Sequence, residues 1–448
     1  MAKPSRIYLG TVIHSLSLGC LEVIERAAVA VDKSGRIVFV KDTSKCATTA
    51  DYIDFPGAEV VELGARILIP GFIDGHAHAP QQTFLGTGMH LPLLKWLEAY
   101  TFPKEAKFSD PVYAAAHYRT AVKRHLFNGT TTCSYFATIH LESTKALVDI
   151  VLELGQRGLV GKVNMDRNSP PFLIEETDTS LKDTQTFIDY VLTKNNPLVQ
   201  PVITPRFIPS VTSPLLTGLG QLSISHTPPI RVQSHLSENR NEIAWVLQMH
   251  PENPTYTSVY DSHGLLHDRS YMAHCIWCTQ SERDLLQSRS TGVIHCPNSN
   301  FSLSSGILNV RRLLREGIKV GLGTDVSGGY TPSMLDAIRQ AVIASKMVSI
   351  GQGSDAETGN EGEYDALSYA EAFHLATMGS AECLSLGDTV GNFLEGKDFD
   401  ALVLNLRAEG SPVDVFDGDS TLELFQRFLF VGDDRNIEQV YVAGKRCK

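Results

Sequence analysis

Hydrophobic positions along the chain follow two patterns, and the first gives way to the second near residue 67. Before it, short apolar runs rich in β-branched residues predict strands. The predicted strands are residues 6–9, 27–31 and 37–40. A turn is predicted at 32–35, and no long helical pattern precedes Leu68. The opening part therefore predicts a small β unit, which is too small to bury a convincing core alone.

From residue 67 onwards, short apolar runs alternate with longer patterns of helical periodicity. The apolar runs are 68–73, 130–135, 159–165, 199–204, 230–234, 271–273, 292–294 and 318–321. The helical patterns between them are 111–127, 141–154, 181–192, 238–249 and 281–288. Strands that alternate with helices predict a parallel sheet, and eight such runs predict a (β/α)8 barrel of the TIM type.

The last part of the chain returns to short strands after a helical stretch. Two further helical patterns, at 334–347 and 368–378, flank a Gly-rich acidic stretch at 351–362 that predicts a mobile loop. Apolar runs follow at 400–404 and 439–442. Because β segments stand at both ends of a barrel, we expect the two ends to form one small β-sandwich. The predicted division is 1–66 for the N-terminal part of the sandwich, 67–385 for the barrel and 386–448 for the C-terminal part of the sandwich.

A long insert at 83–107 separates the first barrel strand from its helix. It contains Trp96, Tyr100 and Phe102. The loops that follow barrel strands lie over the active-site face. The insert therefore suits either a lid over a site or ordinary loop packing, and the sequence leaves both open.

Composition narrows the classes of partner. The formal net charge is -11 and the pI is about 5.8, which argues against nucleic acids and anionic membranes as partners. No apolar run approaches the roughly 18 residues of a transmembrane helix, and the N-terminus lacks the apolar region of a signal peptide. Eight scattered cysteines suit a reduced cytoplasmic protein. The composition fits a protein that handles small molecules.

Five residues of the kinds that bind metals stand at or near the ends of four predicted barrel strands. They are His76, His78, His235, His274 and Asp325. Each alone is more often a structural polar residue, but the carboxyl ends of parallel barrel strands share one mouth, so the five should converge there. Imidazoles with one carboxylate and no cysteine suit zinc or iron. The sequence therefore predicts a metal site.

A carboxylate stands beside one of these predicted ligands. Glu238 comes three residues after His235, one turn on if a helix begins there. At that spacing it can exchange protons with a metal-bound water as a general acid/base; its simpler role is a solvated charge in the first helical turn. Cys275 and Cys278 lack a second pair at zinc-ribbon spacing and are interpreted as buried cysteines.

The order of these ligands resembles the pattern of the amidohydrolase superfamily, and within it the similarity is closer to the guanine deaminase family. It runs from residue 67 to about 335, with weaker similarity in both β ends. The stretches that carry it are 76–81, 91–97, 100–103, 204–207, 235–238, 295–300 and 323–325. Superfamily membership depends on the whole ligand set, and the guanine assignment depends on Gln81 together with Arg206 and Phe207.

The resemblance implies a fold, a reaction and a set of roles. The family has a (β/α)8 barrel, a β-sandwich from both chain ends, one zinc per chain and usually a homodimer, and it hydrolyses guanine to xanthine and ammonia. By this resemblance the five predicted ligands bind the zinc. Guanine contacts map to Gln81, Arg206, Phe207, His235, Glu238 and Asp325. Proton transfer and catalysis map to Glu238 and Asp325.

The sequence leaves alternative metal contents and alternative functions open. Binuclear relatives use a carboxylated lysine at a strand end, which 199–207 does not offer, although Lys162 on the third strand leaves a second metal open. The runner-up activity is an aminohydrolase that acts on a pterin, a modified guanine or a triazine. A rival of another class is a non-catalytic assembly protein that kept the barrel. Loss of metal ligands would mark that rival, whereas all five are present here.

Overall fold

The computed structural model describes residues 3–354 and 365–448. Its strands are β1 Pro4–Ser17, β2 Cys20–Asp32, β3 Ile37–Asp42, β4 Glu59–Pro70, β5 Phe72–His78, β6 Thr130–Phe136, β7 Arg157–Gly161, β8 Val163–Asn164, β9 Val199–Pro205, β10 Arg231–Leu236, β11 Ser270–His274, β12 Gly292–His295, β13 Val320–Leu322, β14 Ala401–Leu404, β15 Ile437–Val442 and β16 Lys445–Arg446. The helices of these ranges are α1 Ala50–Ile53, α2 Leu93–Trp96, α3 Phe102–Glu105, α4 Pro111–Phe127, α5 Leu141–Leu154, α6 Thr177–Thr193, α7 Ser213–Ile224, α8 Arg240–Met249, α9 Tyr256–Ser262, α10 Gln280–Ser288, α11 Pro297–Ser302, α12 Val310–Arg315, α13 Met334–Ser354, α14 Tyr369–His374, α15 Ser380–Cys383 and α16 Thr421–Val431.

The two ends of the chain form one seven-stranded sheet. Its order is β16-β15-β14-β4-β1-β2-β3, in which β1 and β4 are parallel and the other neighbours are antiparallel. Strand β4 from the N-terminal part pairs with β14 from the C-terminal part, with Leu68 opposite Val403. The prediction that both ends build one β unit is confirmed. The domain boundaries at 66/67 and 385/386 stay a prediction.

The middle of the chain forms the predicted (β/α)8 barrel. Eight strands lie in sequence order, β5-β6-β7-β9-β10-β11-β12-β13, and every neighbouring pair is parallel. The short β8 adds a parallel pairing to β9. The first strand meets the segment after the last one, because Asp325 N donates to His76 O at 2.8 Å and His78 N donates to Val326 O at 3.0 Å. Both ends of the strand order are thus joined at the level of the predicted metal ligands.

The predicted first barrel strand, 68–73, is wrong in its placement. Leu68 to Pro70 end β4 in the terminal sheet, and the barrel strand is Phe72–His78. Gly71 separates the two strands, and a Cβ on it would lie 2.2 Å from the side chain of Thr131. Because the residues on both sides of Gly71 are buried, the apolar run continues through the break and does not mark it. His76 and His78 are therefore part of the strand.

The other elements depart less from their predictions. Helices α4 and α5 have the predicted bounds, whereas α6 begins at Thr177, before its predicted start at 181. The insert folds into short helical turns that include α2 and α3. Most of the predicted mobile loop at 351–362 lies outside the described residues. Within the described ranges, we find no helix long and apolar enough to cross a bilayer.

A buried ion pair joins the barrel to the terminal sheet. Arg157 begins β7 and is 1% exposed. Its Nη2 lies 2.9 Å from Asp398 Oδ2 and 3.2 Å from Asp400 Oδ1, just before β14. Removing one partner of a buried pair leaves a buried charge uncompensated, which costs about 3–5 kcal/mol. We therefore expect Arg157→Met to lower the free energy of unfolding by about that amount, measured by urea denaturation.

An exposed ion pair provides the control. Arg119 Nη2 lies 2.6 Å from Glu153 Oε2, with side chains that are 39% and 58% exposed. Exposed pairs contribute about 0–1 kcal/mol, so Arg119→Met should shift the free energy of unfolding by less than about 1 kcal/mol. Equal losses in the two variants would contradict a joining role for Arg157.

Candidate metal and substrate site

The predicted metal ligands meet at the mouth of the barrel. His76 and His78 are on β5, and His235 is on β10. His274 ends β11, and Asp325 lies three residues beyond β13. Parallel packing brings these positions together although up to 249 residues separate them along the chain.

Four of the five residues place their ligand atoms within 4.8 Å of one another: His76, His78, His235 and Asp325. His78 Nε2 lies 3.1 Å from His235 Nε2. Asp325 Oδ1 lies 3.2 Å from His76 Nε2 and 3.3 Å from His78 Nε2. Imidazole nitrogens that bind one zinc at about 2.0–2.1 Å in a tetrahedral arrangement lie about this far apart. His76 Nε2 is also buried without a hydrogen-bond partner, so the donor set fits a metal ion.

His274 lies at the edge of this group. Its Nε2 is 3.8 Å from Asp325 Oδ2 and 3.5 Å from Glu238 Oε2. The same nitrogen is buried and has no hydrogen-bond partner. His274 thus stands between the donor group and Glu238, and its assignment as a fifth ligand stays a prediction.

Hydrogen bonds behind two imidazoles turn their Nε2 atoms towards the site. His235 Nδ1 lies 2.6 Å from the carbonyl oxygen of Arg206, which can only accept, so Nδ1 carries the proton. His274 Nδ1 lies 2.9 Å from Asn300 Oδ1. A ligand histidine held in this way presents an unprotonated Nε2 to the metal. The sequence did not assign this role to Asn300, although it lies in the matching stretch 295–300.

The surroundings of the donors shift the pKa values of His78, His235 and Asp325. Burial lowers the pKa of His78 to about 4 and the pKa of His235 well below its usual value. Burial alone would raise the pKa of Asp325, but the neighbouring imidazoles of His76 and His78 outweigh it and hold that pKa well below its usual range. At neutral pH the imidazoles of His78 and His235 are therefore neutral and the carboxylate of Asp325 is charged, which are the states that bind metals.

Glu238 faces the donor group from the start of the loop before α8. Its Oε1 accepts a hydrogen bond from Ser305 Oγ at 2.8 Å. Burial, followed by the nearby charge of Asp325, raises its pKa to about 8. A carboxyl group whose pKa lies near neutrality can both take up and release a proton. The geometry therefore suits a proton carrier beside the metal donors.

Backbone strain is concentrated at the same place. Ser237, His274 and Asp325 have φ values of 48°, 70° and 48°, in the left-handed region that non-glycine residues rarely adopt. Such conformations cost of order 1–3 kcal/mol each and cluster at functional sites. The surrounding fold thus holds these residues in positions that a relaxed chain would not choose.

A cavity opens beside the donors. The predicted substrate residues Gln81, Arg206 and Phe207 line it, together with His78, His235, Glu238 and Asp325. The insert contributes Leu93, Trp96 and Leu97 to the same wall. A mostly apolar cavity with a few convergent polar groups suits a small planar molecule.

Two side chains of the cavity share a partner that the sequence did not reveal. Gln81 Nε2 donates to Glu105 Oε1 at 3.0 Å, and Arg206 Nη1 donates to Glu105 Oε2 at 2.6 Å. Glu105 ends α3 in the insert, where no periodic pattern or motif singled it out. A single acidic residue in such a segment is usually a solvated charge, so only the fold could identify its position.

Lys162 and the two neighbouring cysteines are engaged elsewhere. Lys162 Nζ lies 2.5 Å from Glu175 Oε1 and 3.1 Å from Val163 O. Cys275 and Cys278 are buried and carry no disulfide. None of these three residues is a member of the four-donor group described above.

A family model, similar sequences and a similar solved structure all indicate the same protein family. The model of the amidohydrolase family matches residues 67–447. A guanine deaminase of Dictyostelium discoideum is 44% identical over 100% of this chain and 99% of its own, and one of Homo sapiens is 43% identical over 100% and 97%. The crystal structure of a guanine deaminase from C. acetobutylicum with bound guanine superposes with a TM-score of 0.88, at 39% identity over 98% of this chain and 99% of that one. The chain therefore belongs to the amidohydrolase family, and its similarity within that family is to the guanine deaminases.

Proposed function

We propose that the protein hydrolyses guanine to xanthine and ammonia with the help of one bound zinc ion. The observation that carries the proposal is the cavity in which Arg206, Gln81 and Phe207 lie beside the four-donor group and Glu238. Full-length similarity to proteins named guanine deaminase supports the choice of substrate. This reaction would give the protein a role in purine catabolism.

The metal would be held by His76, His78, His235 and Asp325, with His274 as the further predicted ligand. Imidazole and carboxylate donors without cysteine suit zinc, which lowers the pKa of a bound water towards ~7 and so makes it a nucleophile at neutral pH. Asp325 remains charged in its surroundings and can accept a proton from that water. Ser305 orients the carboxylate of Glu238, which can carry protons to a ring nitrogen and to the leaving amine.

The cavity residues match the edges of guanine. Guanine has an amine at C2, which is hydrolysed, and a carbonyl oxygen at C6. The guanidinium of Arg206 can only donate hydrogen bonds and therefore suits that oxygen or an unprotonated ring nitrogen. Gln81 can donate and accept, and the ring of Phe207 offers a surface for packing against a purine.

The proposal is tested by measuring products and metal on one sample. The purified protein should contain about one zinc per chain, because the site has a single four-donor group. It should release ammonia from guanine, and a chelator that removes the zinc should stop this release until zinc is restored. A panel with pterins and a triazine separates the alternative activities. An active, metal-free preparation, or ammonia from a pterin but not from guanine, would contradict the proposal.

We also propose a homodimer and a cytoplasmic location. The dimer follows from the resemblance to the family and is supported by an exposed apolar stripe on α13. Its members Ile343, Met347 and Ile350 are 48%, 45% and 67% exposed, at a spacing that places them on one helix face. The cytoplasmic location follows from the use of cysteine along the sequence and stays a prediction.

A further inference from the structure

The insert places a buried carboxylate behind the two polar side chains proposed to read the base. Glu105 is 1% exposed and Arg206 is 3% exposed. Besides its contact with Nη1 of Arg206, the carboxylate lies 3.1 Å from Nη2 of the same guanidinium. The same Oε1 accepts from Gln81 Nε2 at 3.0 Å. One carboxylate therefore contacts both Gln81 and Arg206, which line the cavity together with metal donors.

We propose that Glu105 is a positioning residue for base selection, which fixes the hydrogen-bonding pattern that Gln81 and Arg206 present to the purine. This inference rests on the proposed function and adds a determinant of specificity to it. Glu105 does not line the cavity, so it acts through its two partners and not by touching the base.

Two hydrogen bonds fix the direction of the Gln81 amide. Its Oε1 accepts from Ser327 N at 3.0 Å, and its Nε2 donates to Glu105. A flipped amide would oppose its oxygen to the carboxylate and its NH2 group to the Ser327 N–H. Both contacts would then be repulsive, so Glu105 and the Ser327 amide together fix which end donates. Each end keeps one further bonding position for a ligand, which is a hydrogen on Nε2 and a lone pair on Oε1.

Glu105 also balances the charge of Arg206 and orients its guanidinium. A guanidinium that pairs with one carboxylate through both Nη atoms is held in orientation as well as attracted. Without that carboxylate, Arg206 would be a buried charge without compensation, which is costly and would favour anionic ligands over a neutral base. The ring of Phe102, also on α3, lies 5.6 Å from Arg206 Cζ and packs against the same group. Helix α3 thus neutralises and orients Arg206.

The insert therefore contributes to recognition as well as lining the cavity. Its α2 supplies apolar wall residues, and its α3 supplies the carboxylate that sets the polar pattern. The sequence left open whether this insert is a lid or ordinary loop packing. The contacts of Glu105 give the insert a specific role, which is to hold the side chains of Gln81 and Arg206 in one arrangement.

Glu105→Gln tests this task because it keeps the size of the side chain and removes its charge. Hydrogen bonds to charged groups contribute about 1.5–3 kcal/mol, so kcat/KM for guanine should fall roughly 10- to 100-fold. The loss should appear mainly as a higher KM, and the guanine-to-adenine ratio of kcat/KM should fall with it. Zinc content should not change. Glu98→Gln makes the same change at an exposed position of the insert and should leave KM, kcat and the ratio unaltered.

Two further variants separate positioning from a purely structural role. Because Glu105 acts through Arg206, adding Glu105→Gln to Arg206→Ala should cost far less than Glu105→Gln costs alone. Glu105→Asp keeps the charge at shorter reach and should retain more of the base preference than the amide does. If Glu105→Gln fails to fold, the aspartate variant carries the comparison, and a preference as low as that of Arg206→Ala would overturn the proposal.

The outcomes distinguish this proposal from the proposed function. A zinc-loaded unmodified protein that releases no ammonia from guanine contradicts the proposed function. An active unmodified protein whose Glu105→Gln variant keeps the same KM and base ratio contradicts the role of Glu105 alone. Equal losses of kcat on guanine and adenine with unchanged KM, or strictly additive losses in the double variant, would also overturn that role.

Discussion

Guanine should be deaminated with a kcat/KM ~10⁴–10⁵-fold higher than that of adenine. A site built to hydrogen-bond its substrate rejects an analogue that lacks the bonding group by about this factor. Adenine has no oxygen at C6, and its amine stands there instead. With that amine directed to the metal donors, adenine has no carbonyl oxygen to present to Arg206. Steady-state rates of ammonia release on the two bases give the ratio, and equal rates would remove the guanine assignment. Cytosine has a single ring, so we expect it not to span from the metal donors to Arg206 and to show no useful activity.

Removing the guanidinium of Arg206 should greatly reduce the preference for guanine over adenine. Arg206→Ala deletes the donor for the purine and also leaves the carboxylate of Glu105 buried without its cation. Truncating one partner of a buried charge pair typically costs about 2–5 kcal/mol, so kcat/KM for guanine should fall at least ~30-fold. Adenine, which does not use this donor, should lose much less. Zinc should remain bound at about one per chain, as measured on the same preparation.

An exposed arginine serves as the control for this substitution. Arg289 pairs with Asp261 on the surface, and its side chain is 50% exposed. Arg289→Ala should leave the rates on both bases and the ratio between them unchanged. If Arg206→Ala behaves like Arg289→Ala, Arg206 is only a structural charge after β9, and base selection lies elsewhere.

Glu238→Gln should lower kcat for guanine by ~10²–10⁴-fold, which is the usual contribution of a general acid/base group. The amide keeps the shape of the side chain, and its oxygen can still accept from Ser305 Oγ. It cannot carry a proton at neutral pH, whereas burial and the charge of Asp325 raise the pKa of the Glu238 carboxyl to about 8. The variant should bind zinc as the unmodified protein does.

Metal analysis and single-turnover rates on the Glu238→Gln preparation separate chemistry from binding. Glu252→Gln, at a residue whose side chain is 65% exposed, makes the same change away from the site and should keep full turnover. Near-normal turnover in Glu238→Gln would refute its role in proton transfer. Loss of zinc in that variant would instead indicate that Glu238 supports the metal.

The barrel could be predicted because its signals are local and repeated. Alternating apolar runs and helical patterns depend on burial of each element, and α4 and α5 end where their periodicity ends. The junction at Gly71 could not be predicted in this way. The end of β4 and the start of β5 are buried in different sheets, so the pattern of hydrophobic residues is continuous through it.

The candidate site also contains residues that could be predicted from the sequence and residues that could not. Ligand-type residues at strand ends could be grouped from the sequence because a parallel barrel gathers all such ends at one mouth. Glu105, Asn300 and Ser305 could not be assigned roles, since each acts on another side chain from a loop or short helix. Their positions depend on how the insert and the segment after β12 pack, and no periodicity records that packing.

The backbone and the side chain of Arg206 have separate roles in the site. Its carbonyl oxygen holds the imidazole of His235, while its guanidinium lies in the substrate cavity. Every amino acid supplies the same carbonyl, so a mutation at this position changes the ligand that fits and leaves the support of the metal donor in place. We therefore expect substitutions of Arg206 to alter substrate choice while the backbone hydrogen bond that orients His235 is kept.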